Sequence, residues 1–235
     1  MALKLITFDL DNTLWHTDPV IARAENVQWQ AITQRCPTAS AHFTTDSLQQ
    51  LKRHVVQQHP ALRHKLSLLR IEYIFQILTE CGINPTQARE QSQQVFSEFL
   101  AARNKVELFP DALEVLNELK KKYHVIALSN GNANLTSIGI DHLFHAHYHA
   151  ENVARPKPAE DMFLAALNYA KVKAHESCHI GDHPEQDIEA ARKLGFKTVW
   201  ANILNQDWPS SVNKADADIT HLDQLIRSIT SFHSE

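Results

Sequence analysis

The stretch LITFDLDNTLW, residues 5–15, sets two acids, Asp9 and Asp11, one residue apart at the end of an apolar run. A short apolar run of this kind suits a strand buried on both faces, and it predicts a strand over residues 3–9. Such a strand ends on carboxylates. They could form a calcium loop, a phospho-acceptor, a catalytic pair or a polar turn. An EF-hand loop starting at Asp9 would need Gly at 14 and Glu at 20, where the chain has Leu14 and Val20. The calcium reading therefore fails. A turn or helix cap over Asp11-Asn12-Thr13 stays open.

Beyond this strand the pattern changes twice. Residues 16–105 space their apolar residues three and four apart, which predicts four helices and no strand. Gly82 suits the end of one helix, and NPTQA (84–88) the start of the next. After residue 105, helices are expected over 110–123, over 157–170 with Pro158 in its first turn, and over 183–195 with Gly195 at its end. Strands are expected at HVIALS, SCHIGD and KTVWAN. Strands alternating with helices at this spacing imply a parallel sheet. The expected fold is α/β: a Rossmann-like parallel sheet with helices on both faces. Its core would comprise 1–15 and 106–235, and 16–105 would be an inserted helical domain. Hinges are expected near 14–18 and 103–109.

Composition narrows the function classes. With 43% hydrophobic and 21% charged residues, the chain has the balance of a globular protein. A net charge of −4 gives no footprint for nucleic acid. No apolar run reaches the ~20 residues of a membrane span, and the early strand leaves no room for a signal peptide. Cys36, Cys81 and Cys178 are odd in number and far apart, which points away from disulfides and toward a cytoplasmic setting. His145, His147 and His149 alternate. In a strand they would share one face and could bind metal. The alternative is a half-exposed strand with these residues outward and Phe144, Ala146 and Tyr148 inward.

Ligands of open α/β sheets bind beyond the carboxyl ends of the strands. Asp9 and Asp11 stand there after the first strand. Ser129, Asn130 and Gly131 follow the strand HVIAL, Lys157 precedes a helix, and Asp182 and Asp187 follow CHIG. Each residue alone could be a cap, a turn or a solvated side chain. Their shared placement argues for one site.

The order and spacing of these residues resemble the haloacid dehalogenase superfamily of phosphohydrolases, over essentially the whole chain. DLDNT matches the family's DxDxT motif, Ser129 its second motif, Lys157 its third, and GDHPEQD, with Asp182 and Asp187, its fourth. The insert resembles the family's small helical cap. The resemblance implies Asp9 as nucleophile, forming an aspartyl-phosphate, and Asp11 as general acid and base. It implies Mg²⁺ held by the Asp9 side chain, the Asp11 backbone carbonyl and the Asp182 side chain. Ser129, Asn130 and Lys157 would bind the phosphoryl group, with backbone N–H groups around Leu10 and Asn130 assisting. Asp187 would orient Lys157 or metal-bound water.

The second acid favours a phosphatase over a haloacid dehalogenase, because a halide leaves without a proton. A phosphomutase and a non-catalytic binding or regulatory protein on the same fold are the alternatives. The expected partner is a small phosphorylated metabolite. SNGNA and the helical insert resemble the bacterial branch acting on flavin mononucleotide and on the ribitylaminouracil phosphate of riboflavin synthesis. Arg70, in LLRIEYIF, is either a substrate contact or an ion-paired arginine. His183 stands where many relatives carry Ser, Asp or Thr; it either tunes metal-bound water or has no role.

Overall fold

The computed structural model describes residues 2–232. The run Leu5–Phe8 forms strand β1, buried throughout. It is followed in the sheet by β2 (His124–Ser129), β3 (Ala146–His149), β4 (Ser177–Gly181), β5 (Lys197–Ala201) and β6 (Ala217–Ile219). The sheet order is β3-β2-β1-β4-β5-β6, and every pairing is parallel. Successive strands are laid down on one side of β1 and then on the other. The direction of winding thus reverses between β1 and β4, where an open α/β sheet leaves a crevice for ligands. Phe8 lies opposite Ala127 on β2 and Ile180 on β4. Asp9 therefore emerges level with the last residues of both neighbours.

The chain divides into two units, Met1–Thr17 with Val106–Glu235, and Asp18–Lys105. The helical unit comprises α1 (Thr17–Arg35), α2 (Ala39–His42), α3 (Thr45–Gln58), α4 (Leu66–Glu80) and α5 (Pro85–Arg103). Its core gathers Ile32, Phe43, Leu51, Ile74, Ile77 and Val95. Local signals set the ends of these helices. The Thr44 hydroxyl accepts from Ser47 N–H in a reciprocal capping box, and Asn84 Oδ1 caps α5 with Pro85 in its first turn. Gly82 follows α4 at φ 87°, in the left-handed region that favours glycine.

Helices α6 (Ala112–Lys120), α7 (Leu135–Ile138), α8 (Asp161–Ala170), α9 (Ala190–Leu194) and α10 (Leu225–Ser231) flank the sheet on both faces. On one face Met162, Phe163 and Ala166 of α8 pack with Leu5, Ile126 and Leu128. Two expectations are corrected here. Pro158 is not in the first turn of α8, which starts at Asp161; it lies in the turn ahead of it. The helix expected over 183–195 opens as a π-turn, Pro184–Glu189, before becoming α9. The wider turn brings Asp187 beside Gly181, where a Cβ on residue 181 would lie 2.6 Å from Asp187 Oδ2. Only glycine fits there.

On the edge strand β3, Ala146 and Tyr148 pack against the core, as expected. The histidines are not simply outward, because His147 Nε2 and His149 Nδ1 are buried. Burial, with His149 adding to it, pushes His147 from its ordinary 6.5 down to about 4. The folded chain then holds this imidazole neutral, while the unfolded chain protonates it below 6.5. Stability should fall as pH drops from 6.5 toward about 4 and level off below that. His147→Gln should lessen this fall in urea denaturation across that range. An identical pH dependence in the variant would contradict the assignment.

Candidate active site

The strand ends converge on Asp9. Its backbone N–H donates to Ile180 O at 2.8 Å, tying the end of β1 to β4. Lys157 Nζ, buried, donates to Asp9 Oδ1 at 2.7 Å and to Asp187 Oδ1 at 2.5 Å. Thr13 Oγ1 makes a longer contact of 3.4 Å to Asp9 Oδ2. Side-chain oxygens of Asp9, Asp182 and Asp187 lie within 4.8 Å of one another, a group able to hold a metal ion.

The charges in this group do not balance. Three carboxylates face one ammonium. Burial, against the pull of Lys157 and with repulsion from Asp187 and Asp182, pushes Asp9 well above the usual carboxylate range. Burial and the charge of Asp187 push Asp182 up to about 7. Asp187 is held below its ordinary value despite burial, because Lys157 and His179 both favour its charged form. Lys157 is correspondingly raised, its two carboxylate partners outweighing its burial. A bound cation would relieve the repulsion, and an all-oxygen donor set suits a hard one.

Supporting contacts hold these groups in place. The Asn130 amide clamps the Lys157 backbone: Nδ2 donates to Lys157 O at 2.8 Å, and Lys157 N–H donates to Asn130 Oδ1 at 2.9 Å. Asn130 Nδ2 also donates to Gln186 Oε1 at 2.8 Å. Ser129 Oγ accepts from Gly131 N–H at 3.0 Å, which leaves its own O–H to donate. Trp200 Nε1–H donates to the Asp182 carbonyl at 2.7 Å.

Asp11 stands apart from the three-acid group. Its Oδ1 accepts from Trp15 Nε1 and from Thr17 Oγ1, both at 2.9 Å. Asn12, at φ 62°, turns the chain just after Asp11, and Asn tolerates that left-handed backbone better than most residues. Asn12 N–H donates to Thr17 Oγ1 and Thr17 N–H to Asn12 Oδ1, closing the loop. The same residues that read as a polar turn thus form one, and it holds the Asp11 carboxylate against Trp15 and Thr17.

Three participants were not singled out in the sequence. His179, wholly buried on β4, meets Asp187 Oδ1 through Nε2 at 3.1 Å and Thr7 Oγ1 through Nδ1 at 2.8 Å. Burial lowers its proton affinity, so it is neutral, with Nε2–H donating to Asp187. Thr7 is the second, through that contact with His179, and Gly181 the third, through the space it leaves for Asp187. His179 was the readable signal: a polar residue at an inward position of an apolar strand.

His183 has a structural duty. Its backbone N–H donates to Asp187 Oδ2 at 3.0 Å, and its Nδ1 accepts from the N–H groups of Glu185 and Gln186 at the start of the π-turn. Arg70 lies in the helical unit. Its guanidinium bonds Gln28 Oε1 at 3.1 Å, pairs with Glu25 at 3.5 Å and stacks 3.8 Å over the Phe99 ring. That is the ion-paired arrangement.

Known proteins resemble this chain in sequence and in fold. The chain is 28% identical over 207 residues to the 5-amino-6-(5-phospho-D-ribitylamino)uracil phosphatase YigB of Escherichia coli, covering 87% of this chain and 86% of that protein. It is 27% identical over 227 residues to a phosphoserine phosphatase of Thermus thermophilus, covering 85% and 89%. The crystal structure of a 2-haloacid dehalogenase from Pseudomonas syringae superposes with a TM-score of 0.92 at 31% identity, covering 98% and 99%. The family model described as haloacid dehalogenase-like hydrolase matches residues 3–195. With its parallel sheet and its acids at the ends of β1 and β4, the chain belongs to the haloacid dehalogenase-like hydrolase family.

Proposed function

We propose that this hydrolase is a Mg²⁺-dependent phosphatase of small phosphomonoesters that carries the phosphoryl group on Asp9. The observation supporting this most directly is the 2.7 Å bond from Lys157 to Asp9 inside a group of three acids, with Asp11 two residues on. The Asp9 and Asp182 side chains and the Asp11 carbonyl would hold the ion. When bound, it offsets the charge of phosphate and carboxylates so that the two anions can approach.

Asp9 attacks phosphorus as the ester P–O bond breaks. Asp11, protonated, gives its proton to the leaving alkoxide. Asp11, now a carboxylate, then takes a proton from the water that attacks the phosphoryl group. The bond to Asp9 breaks, inorganic phosphate leaves and both acids return to their starting states. Lys157 fixes the rotation of the Asp9 carboxylate and adds positive charge beside the phosphoryl oxygens. Ser129 O–H donates to one of those oxygens. Asp187, anchored by His179 and His183 N–H, holds Lys157 in place.

The likeness to the E. coli enzyme makes ribitylaminouracil phosphate and flavin mononucleotide the first substrates to test. The likeness to the P. syringae dehalogenase favours a second reading, release of halide from a 2-haloacid. Asp11 separates the two, since an alkoxide needs a proton and a halide does not. The test is a panel of phosphorylated metabolites plus 2-chloropropionate, assayed with Mg²⁺ and with EDTA. The expected result is Mg²⁺-dependent phosphate release, no chloride release, and a loss of about 10²–10⁴-fold in Asp11→Asn. Activity unaffected by EDTA, or chloride release without phosphate release, would overturn the proposal.

A further inference from the structure

His147 and His149 project from the face of β3 opposite Ala146 and Tyr148, whose side chains pack into the core. Their ring centres are 5.3 Å apart, with the planes inclined at 50°. His147 Nε2 and His149 Nδ1 are buried, and neither makes a hydrogen bond among the described residues. Buried polar atoms nearly always have a partner, so two such nitrogens on neighbouring rings call for an explanation. His145, the third of the alternating histidines, is excluded because its Nδ1 already accepts from Val125 N–H at 3.0 Å.

We propose that His147 and His149 chelate a transition cation, Zn²⁺ foremost, at a site separate from the acid group around Asp9. A Zn–N bond of about 2.0–2.1 Å puts the ion roughly 3.2 Å from each ring centre. Two rings set tetrahedrally about it then have centres roughly 5.2 Å apart. The observed ring-centre separation of 5.3 Å is close to that spacing. Water would take the remaining positions.

Ligand chemistry keeps the two sites distinct. Imidazole nitrogens favour Zn²⁺, Cu²⁺ and Ni²⁺, while the carboxylates of the acid group favour Mg²⁺. The histidine site is nevertheless near the end of β2. His149 pairs with Ser129 in the sheet, and Ala150 N–H donates to Ser129 O at 3.0 Å.

The test is calorimetric titration of the intact protein with Zn²⁺ in excess Mg²⁺, which keeps the acid group occupied. One Zn²⁺ per chain should bind. His147→Gln and His149→Gln should each weaken it at least about tenfold, and the double variant should lose it. The pair His54→Gln and His59→Gln, in the helical unit, should leave it unchanged. Co²⁺ in place of Zn²⁺ should give a visible tetrahedral absorption band in wild type. Ring-nitrogen NMR of wild type, which needs no variant, should show two histidines shifting together on Zn²⁺ addition. Absence of Zn²⁺ uptake by wild type, shifts confined to other histidines, or wild-type binding by a folded double variant would each overturn the proposal.

Discussion

Asp9→Asn is expected to reduce turnover of p-nitrophenyl phosphate by at least about 10⁴-fold while leaving the fold intact. The amide cannot attack phosphorus, and no other carboxylate substitutes for it: Asp187 is bonded to Lys157, His179 and His183 N–H, and Asp11 to Trp15 and Thr17. The fold survives because asparagine keeps an oxygen for the Lys157 ammonium. It also removes one of three mutually repelling carboxylates, so the melting temperature should hold or rise. Turnover within tenfold of wild type in a folded variant would remove Asp9 as nucleophile.

Lys157→Met is expected to act on stability as well as turnover. Lys157 is the cation between Asp9 and Asp187, and all three side chains are buried. Methionine matches its length but leaves the carboxylates facing each other. Removing one partner of a buried ion pair costs about 3–5 kcal/mol. The loss should be largest near neutral pH without metal. Acid should restore part of it by protonating the orphaned carboxylates, and Mg²⁺ part by neutralising them. Urea denaturation at two pH values, with and without Mg²⁺, measures each contribution. A variant as stable as wild type at neutral pH without metal would show that the lysine does not balance these charges.

Much of the fold was legible because period and punctuation agreed. The apolar runs at 5–8, 125–128 and 197–201 are strands buried in a parallel sheet, and the four long helices at 17–103 follow their apolar spacing, with Gly82 and Asn84 at their ends. The missed elements are short. β6 has three residues on the sheet edge, one of them the exposed Asp218, too few for a two-residue period to register. The π-turn at 184–189 cannot be told from α-helix by spacing, since its cause is the fit of Asp187 against Gly181.

The motif residues stood out because charge at the end of an apolar strand is costly without a purpose. The residues that position them did not. His179 could be read as a polar residue inside the strand SCHIG, but its contact with Asp187 could not, because it depends on the turn that brings residue 187 back over β4. The Asn130 clamp on Lys157 joins positions 27 apart in the chain, through a backbone that composition does not reveal.

The two chain segments leading to the helical unit are fastened to each other within the sheet-bearing unit. Trp15 bridges Leu108, and Phe109 N–H donates to Leu14 O at 2.8 Å. This clasp closes a loop of some ninety residues at its base, beside the turn that carries Asp9 and Asp11. Because loop-closure entropy grows only slowly with length, what lies beyond the clasp can lengthen, shorten or be exchanged at little cost to the strands below. Residues 18–105 can therefore vary as an interchangeable cassette while the aspartates before the clasp keep their places at the end of the strand.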